Sequence, residues 1–523
     1  MVSAVTPPGM PSKEVLLQRG IDLGMPLSEG ELEIVLGLTP GLLNSYEEIM
    51  RQDTASISVP IRSNTGKSPS ENPHHAWTWK CAIPPTSKGV LDGVKVVIKD
   101  NIAVAGLPMR AGSNVTDGWI PESDATVVTS LLENGAEIVG KSQCEDLCIS
   151  GGSITSKPLP VLNPIRSNYS AGGSSSGSAV LVATGEVDLA LGADQGGSIR
   201  IPASLCGVIG LKATFGAIPY SGVLGLEPSI DHVGPIARDI ETIHHALKAM
   251  VTFDESDPRQ RPFANEIRGL QDALGETQLL PYSNLRVALI TEGFELTREG
   301  EAEFPGSAAS ADLVMMQAEK LVALGATVDL ISIPEHRFAQ HVYLPILLEG
   351  GALSLTALKS TLFGQGYTST GNVEREIVRG LSTNGGSAST LTKLIAILGN
   401  IFFEETQGDF YRKANFLRKQ ISDAYNKVLD EYDVLVCPTT APAGIAVEMS
   451  GDPKNVGRET FSFYQNCCVT DVTGHPSISV PAGMIDGLPV GAMLTAKHFD
   501  EMTLLRAAKM LVNVADVTAP KEP

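Results

Sequence analysis

The chain has 523 residues, 43% hydrophobic and 19% charged, a balance that supports an extensive packed core and excludes a disordered or collagen-like polymer. Its 39 basic side chains face 59 acidic ones, and the resulting charge of −20 argues against a basic field for nucleic-acid phosphates or anionic membranes, leaving a neutral or apolar small molecule as the expected partner. Seven cysteines, odd in number and irregularly spaced, read as reduced core thiols, not as a disulfide framework.

The opening stretch MVSAVTPPGMPSKEVLLQRG has prolines where a signal peptide needs its apolar run. No window of about 18 uninterrupted apolar residues occurs anywhere, so a cytoplasmic protein with no membrane partner is expected. Lys13 to Gln52 predicts two or three short helices, with Ser28 and Glu31 placed as a capping box. The Ser-, Pro- and Asn-rich tract Ser63 to His75 marks a linker, which divides the chain into a helical segment over 1–65 and a catalytic domain over 66–523.

The run VKVVIKD, Val94 to Asp100, then reads as a buried strand ending in Lys99. Asp124 is placed to begin a helix with Val127, Val128, Leu131 and Leu132 on one face, stopped by Gly135 and followed by the strand AEIVGK. Gly172 to Ile201, GGSSSGSAVLVATGEVDLALGADQGGSIRI, sets two serine-bearing glycine turns around one apolar segment. Strand, helix and strand recur at RVALIT, Ala311 to Leu324 and TVDLISI; Ser382 to Thr390 reads as a surface loop; long helices over Thr390 to Asp430 lead to the strand YDVLVCP. This alternation predicts an α/β fold with a mixed, mostly parallel sheet covered by helices on both faces.

Ser198 is the candidate nucleophile, because Gly196 and Gly197 let the backbone approach a substrate carbonyl and turn successive N–H groups toward one point. Lys99, Ser174 and Ser198 make a coherent catalytic set. Asp194 and Arg200 flank the second turn and are placed to pair across it. Gln195 is open to two roles, reaching the leaving group or bracing the turn. Cys144 and Cys148 offer a rival thiol nucleophile, without a histidine in a recognisable partnering pattern. Neither HExxH nor C-x-x-C is present, so no metal and no cofactor are expected.

With IKDN at Ile98 to Asn101, GGSSSGSA at Gly172 to Ala179, DQGGSIRIPASLCGVIGLKATFG at Asp194 to Gly216, DVTGHPSISVPAG at Asp471 to Gly483 and GLPVG at Gly487 to Gly491, the chain resembles the amidase signature family from about residue 70 to its C-terminus. Among its members the broad-specificity acyl amidases associated with nitrile degradation are closest in motif. The resemblance implies a twisted central sheet of many strands and an acyl-enzyme on Ser198. It implies Ser174 as a proton relay, joined to Gly173 by a cis peptide, and Lys99 as a general base far less basic than a solvated lysine. The amides of Gln195, Gly196, Gly197 and Ser198 become the oxyanion hole, with Asp194 and Arg200 as support.

One departure is Ser176, where the family has glycine; at the start of a helix its hydroxyl would cap the first turn. The activity implied is hydrolysis of small carboxamides to acid and ammonia. Carbamate (urethane) hydrolysis is the alternative, and the rival of another class is membership of a tRNA-dependent amidotransferase assembly. By the same analogy the apolar N-terminal segment is a candidate homodimer surface. The acyl pocket is expected from the loops Glu145 to Ser153 and Thr439 to Met449.

Overall fold

The computed structural model describes residues 8–51, 66–116, 118–275, 279–282, 284–295, 307–357, 371–447 and 463–514. The chain forms two compact units, Met1–Val59 and Pro60–Pro523. In the first, helices span Lys13–Asp22 and Glu29–Arg51. Glu31 Oε2 accepts from the Ser28 amide at 2.8 Å and the Glu31 amide donates to Ser28 Oγ at 3.4 Å, the reciprocal box read from the sequence. The second helix is long, continuing through Pro40 for 23 residues where only short helices were expected.

The second unit is built on one sheet of eleven strands: β1 (Trp77–Ile83), β2 (Lys95–Lys99), β3 (Glu137–Ser142), β4 (Leu189–Asp194), β5 (Ile209–Lys212), β6 (His232–Ala237), β7 (Arg286–Ile290), β8 (Thr327–Ile331), β9 (Val434–Pro438), β10 (Ser477–Ile485) and β11 (Leu488–Thr495). Their order is β1-β3-β2-β4-β6-β5-β10-β11-β9-β7-β8. The mixed α/β architecture is as expected, but the parallel majority is not. Four of the neighbour pairings are parallel and six antiparallel, because the centre of the sheet is closed by β6 and the β10–β11 hairpin, not by helical crossovers.

The apolar runs of β2 and β4 are continuous because both faces of the sheet are covered. Val96, Ile98, Leu189 and Leu191 enter one hydrophobic cluster with Leu131 and Leu132, whereas Val97 and Ala190 enter another with Val180, Leu181 and Val182 of the helix Ser176–Ala183. Period-two alternation therefore puts Lys99 on the face of Val97 and of that helix, and Asp100 on the other. Asp100 is buried there, taking the Arg110 amide at 2.9 Å and facing Lys141 Nζ at 3.3 Å.

Two local expectations fail for identifiable reasons. The helix expected from Asp124 begins at Thr126, since the Asp124 carboxylate takes the Ala105 amide at 2.8 Å and offers no cap. Ser382 to Thr390 is no loop: a helix runs Gly371–Asn384, a 3₁₀ turn follows over Gly385–Ser387, and Ser389 caps the helix Thr390–Thr406 by accepting the Thr392 amide.

Gly192 in β4 faces the serine turn so closely that an added Cβ would stand 2.8 Å from Ser175 Oγ and 2.9 Å from Ile199 Cγ1. Gly192→Val should destabilise the fold by about 1–3 kcal/mol through overpacking. A denaturant midpoint unchanged from the parent protein would contradict this packing.

Candidate active site

Lys99 ends β2 with no exposed surface, and its Nζ donates to Ser174 Oγ at 2.8 Å and to the Ala193 carbonyl at 3.2 Å. The arrangement follows from the sheet. β2 and β4 are parallel neighbours, so both open at the same edge, and the residues following each meet there. Ser174 lies in the turn that enters the helix Ser176–Ala183, and its peptide bond to Gly173 is cis. A side chain at Gly173 would place Cβ 2.8 Å from Glu145 Cγ and 3.1 Å from the Ser150 carbonyl, so only glycine admits this close approach.

Ser175 binds the two serine turns into one body. Its amide donates to the Ser198 carbonyl at 3.1 Å, while its Oγ bonds both the amide and the carbonyl of Ala193 at 3.2 Å. Ser176 begins the helix as expected, yet its buried hydroxyl finds no partner among the described residues, so the anticipated cap is not formed.

Asp194 organises the second turn. Its carboxylate accepts the Gly197 amide at 2.6 Å, the Ile199 amide at 3.0 Å, and Arg200 through Nε at 3.0 Å and Nη2 at 2.9 Å. The pairing anticipated across the turn is therefore bidentate and fully buried. Burial alone would raise the Asp194 pKa, but the Arg200 charge and its hydrogen bonds hold it well below the usual carboxylate range. The same Nη2 reaches Asp471 at 2.8 Å; that second carboxylate is pushed up by burial and then by the Asp194 charge.

Of the four amides expected to form an oxyanion hole, one is engaged within the turn. The Gly197 N–H is committed to Asp194 and cannot also serve a substrate, whereas those of Gln195, Gly196 and Ser198 have no acceptor among the described residues. Gly197 supplies conformation instead: its φ is +119°, and a Cβ there would lie 2.5 Å from Cys467 Cβ. Gly196 makes room for Tyr343, whose hydroxyl would be 2.2 Å from an added Cβ. Gln195 braces the turn, donating through Nε2 to the Tyr220 hydroxyl at 3.0 Å.

Ser198 Oγ makes no hydrogen bond among the described residues, and Ser198 lines a cavity of about 130 Å³. Of the contacts expected among Lys99, Ser174 and Ser198, that between Lys99 and Ser174 is present, and none between the Ser174 and Ser198 hydroxyls is found among the described residues. Of the two loops expected to line the acyl pocket, the first contributes Cys148, Ile149, Ser150 and Gly151. None of the described residues of Thr439 to Met449 lines it. That wall comes from two helices, Glu335–Pro345 with its π-turn Ile346–Gly350, and Thr390–Thr406. Leu347, Leu391, Leu394 and Ile395 belong to amphipathic helices distant in sequence from the serine turns, and nothing in their spacing distinguishes a pocket wall from ordinary core.

A profile of the Amidase family matches residues 70–505. The chain belongs to the amidase family. An enantioselective amidase of Rhodococcus rhodochrous is 38% identical over 472 residues, covering 88% of each chain. A glutamyl-tRNA(Gln) amidotransferase subunit of Methanosarcina acetivorans is 33% identical over 438 residues, covering 83% of this chain and 87% of that one. In structure, the corresponding glutamyl-tRNA(Gln) amidotransferase subunit of Thermotoga maritima superposes with a TM-score of 0.63 at 25% identity, covering 86% of this chain and 88% of that one. The chain is an amidase-family hydrolase, and both activities occur among its relatives.

Two acidic residues next to this amidase site went unnoticed in the sequence. Asp146 Oδ2 takes the Ser389 amide and the Thr392 hydroxyl, both at 2.7 Å, pinning the N-terminus of the cavity-wall helix to the loop beside the serine turn. Glu145 lies against Gly173, and its amide donates to the Ser174 carbonyl at 3.2 Å. Burial raises the Glu145 carboxyl to about 7, against hydrogen bonds from Thr155 that favour the anion. The folded protein therefore binds a proton that the unfolded chain releases near 4.5, so the stability it contributes is present below 4.5 and lost as pH rises through about 7. Glu145→Gln should flatten the stability-versus-pH curve across that interval, by at most about 3 kcal/mol. Denaturant midpoints at pH 5 and pH 8 test it; parallel declines in parent and variant would refute it.

Proposed function

We propose that this amidase hydrolyses carboxamides with apolar acyl groups, releasing ammonia and a carboxylic acid through an acyl-enzyme on Ser198. The observation that carries this reading is the cavity beneath Ser198, Gln195 and Gly196. Leu226, Tyr343, Leu347, Leu391, Leu394 and Ile395 form its wall, and no charged side chain enters it among the described residues. A buried apolar wall rewards an alkyl or aryl acyl chain by about 0.8 kcal/mol per methylene, and offers no countercharge to an amino-acid ammonium or carboxylate.

In the proposed cycle Lys99 accepts the Ser174 proton as Ser174 accepts that of Ser198. Ser198 Oγ bonds to the carbonyl carbon, and the oxyanion lies against the free amides of the turn, each such donor being worth roughly 3 kcal/mol. Collapse expels ammonia with a proton returned through Ser174. Water, deprotonated along the same path, then releases the acid. Free thiols at all seven cysteine positions fit the reducing cytoplasm.

Two measurements test this. Rates compared across acetamide, hexanamide, benzamide and glutamine should give kcat/KM rising with apolar acyl size and lowest for glutamine; a preference for glutamine would instead favour the amidotransferase reading suggested by the Methanosarcina relative. Pairing each amide with its carbamate decides the remaining alternative. A fluorophosphonate should label Ser198, and Lys99→Ala should lose on the order of a thousandfold or more in kcat, with Ser174→Ala retaining more because water can substitute in the relay. Lys99→Ala folding normally with near-parental rate would overturn the mechanism.

A further inference from the structure

One polar group of the cavity has no part in the cycle described so far. Tyr343 stands on the wall helix Glu335–Pro345, is 5% exposed, and lines the cavity that Ser198 also lines. Its hydroxyl has no hydrogen-bond partner among the described residues. Phenylalanine would fill the same apolar space without leaving a hydroxyl unpaired, so packing alone does not account for the oxygen.

The position of that oxygen is fixed from several sides. At Gly196 an added Cβ would stand 2.2 Å from Tyr343 Oη and 2.8 Å from its Cζ. Oη therefore lies no more than about 3.7 Å from Gly196 Cα, one C–C bond further. Two turns earlier on the same helix face, His336 bonds the Tyr425 hydroxyl at 2.6 Å and Asn466 Oδ1 at 2.9 Å. Asn466 Nδ2 in turn donates to the carbonyls of Gly293 at 2.9 Å and Pro438 at 2.7 Å, so the helix is anchored to the sheet. The Tyr343 ring packs on that of Tyr464 with centroids 5.4 Å apart.

We infer that Tyr343 is a further catalytic residue, its hydroxyl donating to the substrate carbonyl oxygen as that oxygen becomes the oxyanion of the Ser198 adduct. The inference rests on the proposed acyl-enzyme chemistry and adds a side-chain donor to it. Beside Gly196 the unpaired groups are donors: the amides of Gln195, Gly196 and Ser198 lack acceptors, and so does the Tyr343 O–H. A neutral carbonyl oxygen has two lone pairs, whereas an oxyanion accepts from more donors and more strongly, so the hydroxyl gains most in the transition state and acts on kcat more than on KM. Burial pushes the Tyr343 hydroxyl well above the ordinary tyrosine range, which keeps it protonated as a donor.

Tyr343→Phe in the full-length enzyme removes one oxygen and keeps the ring. With hexanamide and benzamide, kcat should fall about a hundredfold, the usual cost of one oxyanion donor, with KM within about twofold of the parent. Phenylboronic acid, whose tetrahedral adduct with Ser198 places an oxygen where the oxyanion forms, should bind the variant at least tenfold more weakly, while benzyl alcohol, which forms no adduct, should bind both proteins alike. A denaturant midpoint equal to the parent's establishes that the variant is folded; should it not fold, Tyr343→Leu is the second variant and should show the same contrast between boronic acid and alcohol. A kcat within about threefold of the parent, a loss confined to KM, or equal weakening of both ligands overturns the inference and leaves the Ser198 mechanism standing. A parent that neither labels at Ser198 nor turns over amides refutes the proposed function, and the oxyanion role falls with it.

Discussion

Everything at this site hangs on one buried guanidinium. Arg200 has no exposed surface, yet it meets Asp194 twice, Asp471 once, the Cys467 carbonyl, and the hydroxyls of Thr470 and Ser477. A charge taken out of water costs several kcal/mol, and such a cost is tolerable only when every donor is satisfied by fixed acceptors. Here those acceptors come from the turn that bears Ser198 and from residues some 270 positions later in the chain. The turn bearing Ser198 is consequently riveted to β10 and to the helix Cys467–Thr473, and the deeply ionised Asp194 directs the Gly197 and Ile199 amides inward.

The consequence is a division of labour between rigid and free groups. Amides bonded to Asp194 hold the shape of the turn, while those of Gln195, Gly196 and Ser198, residues that line the cavity, have no acceptor among the described residues, as the proposed oxyanion role requires. Ser175 extends the rigid part by bridging the Ala193 backbone and the Ser198 carbonyl, so the turns that carry Ser174 and Ser198 share one frame. Preorganised backbone with freely rotating side-chain protons suits a reaction in which charge develops on oxygen while protons shuttle.

The cavity wall obeys a different logic. Its helices are far from the serine turns in sequence and reach the site through packing and through Asp146, which captures the amide and hydroxyl that open the helix Thr390–Thr406. On the proposed function, chemistry and specificity thus sit on separate parts of the chain, and a change in wall side chains would alter which acyl group fits without disturbing Lys99, Ser174 and Ser198.

Local patterns in the sequence determined a good deal about this protein. The period-two run ending in Lys99, the glycine turns around Ser174 and Ser198, and the Asp194–Arg200 spacing are all short-range signals, and each encodes a conformation that few other residues can adopt. The α/β class followed from the alternation of apolar runs. Tertiary structure alone decided which N–H groups remained free, because Asp194 selects Gly197 and Ile199 by geometry that no spacing reveals. It also decided that antiparallel pairings outnumber parallel ones, that the Ser176 hydroxyl has no partner among the described residues, and that leucines of two remote helices line the cavity beside Ser198. The physical reason is common to all of these: a hydrogen bond or an apolar contact is indifferent to sequence distance, and only the closed sheet brings its partners together.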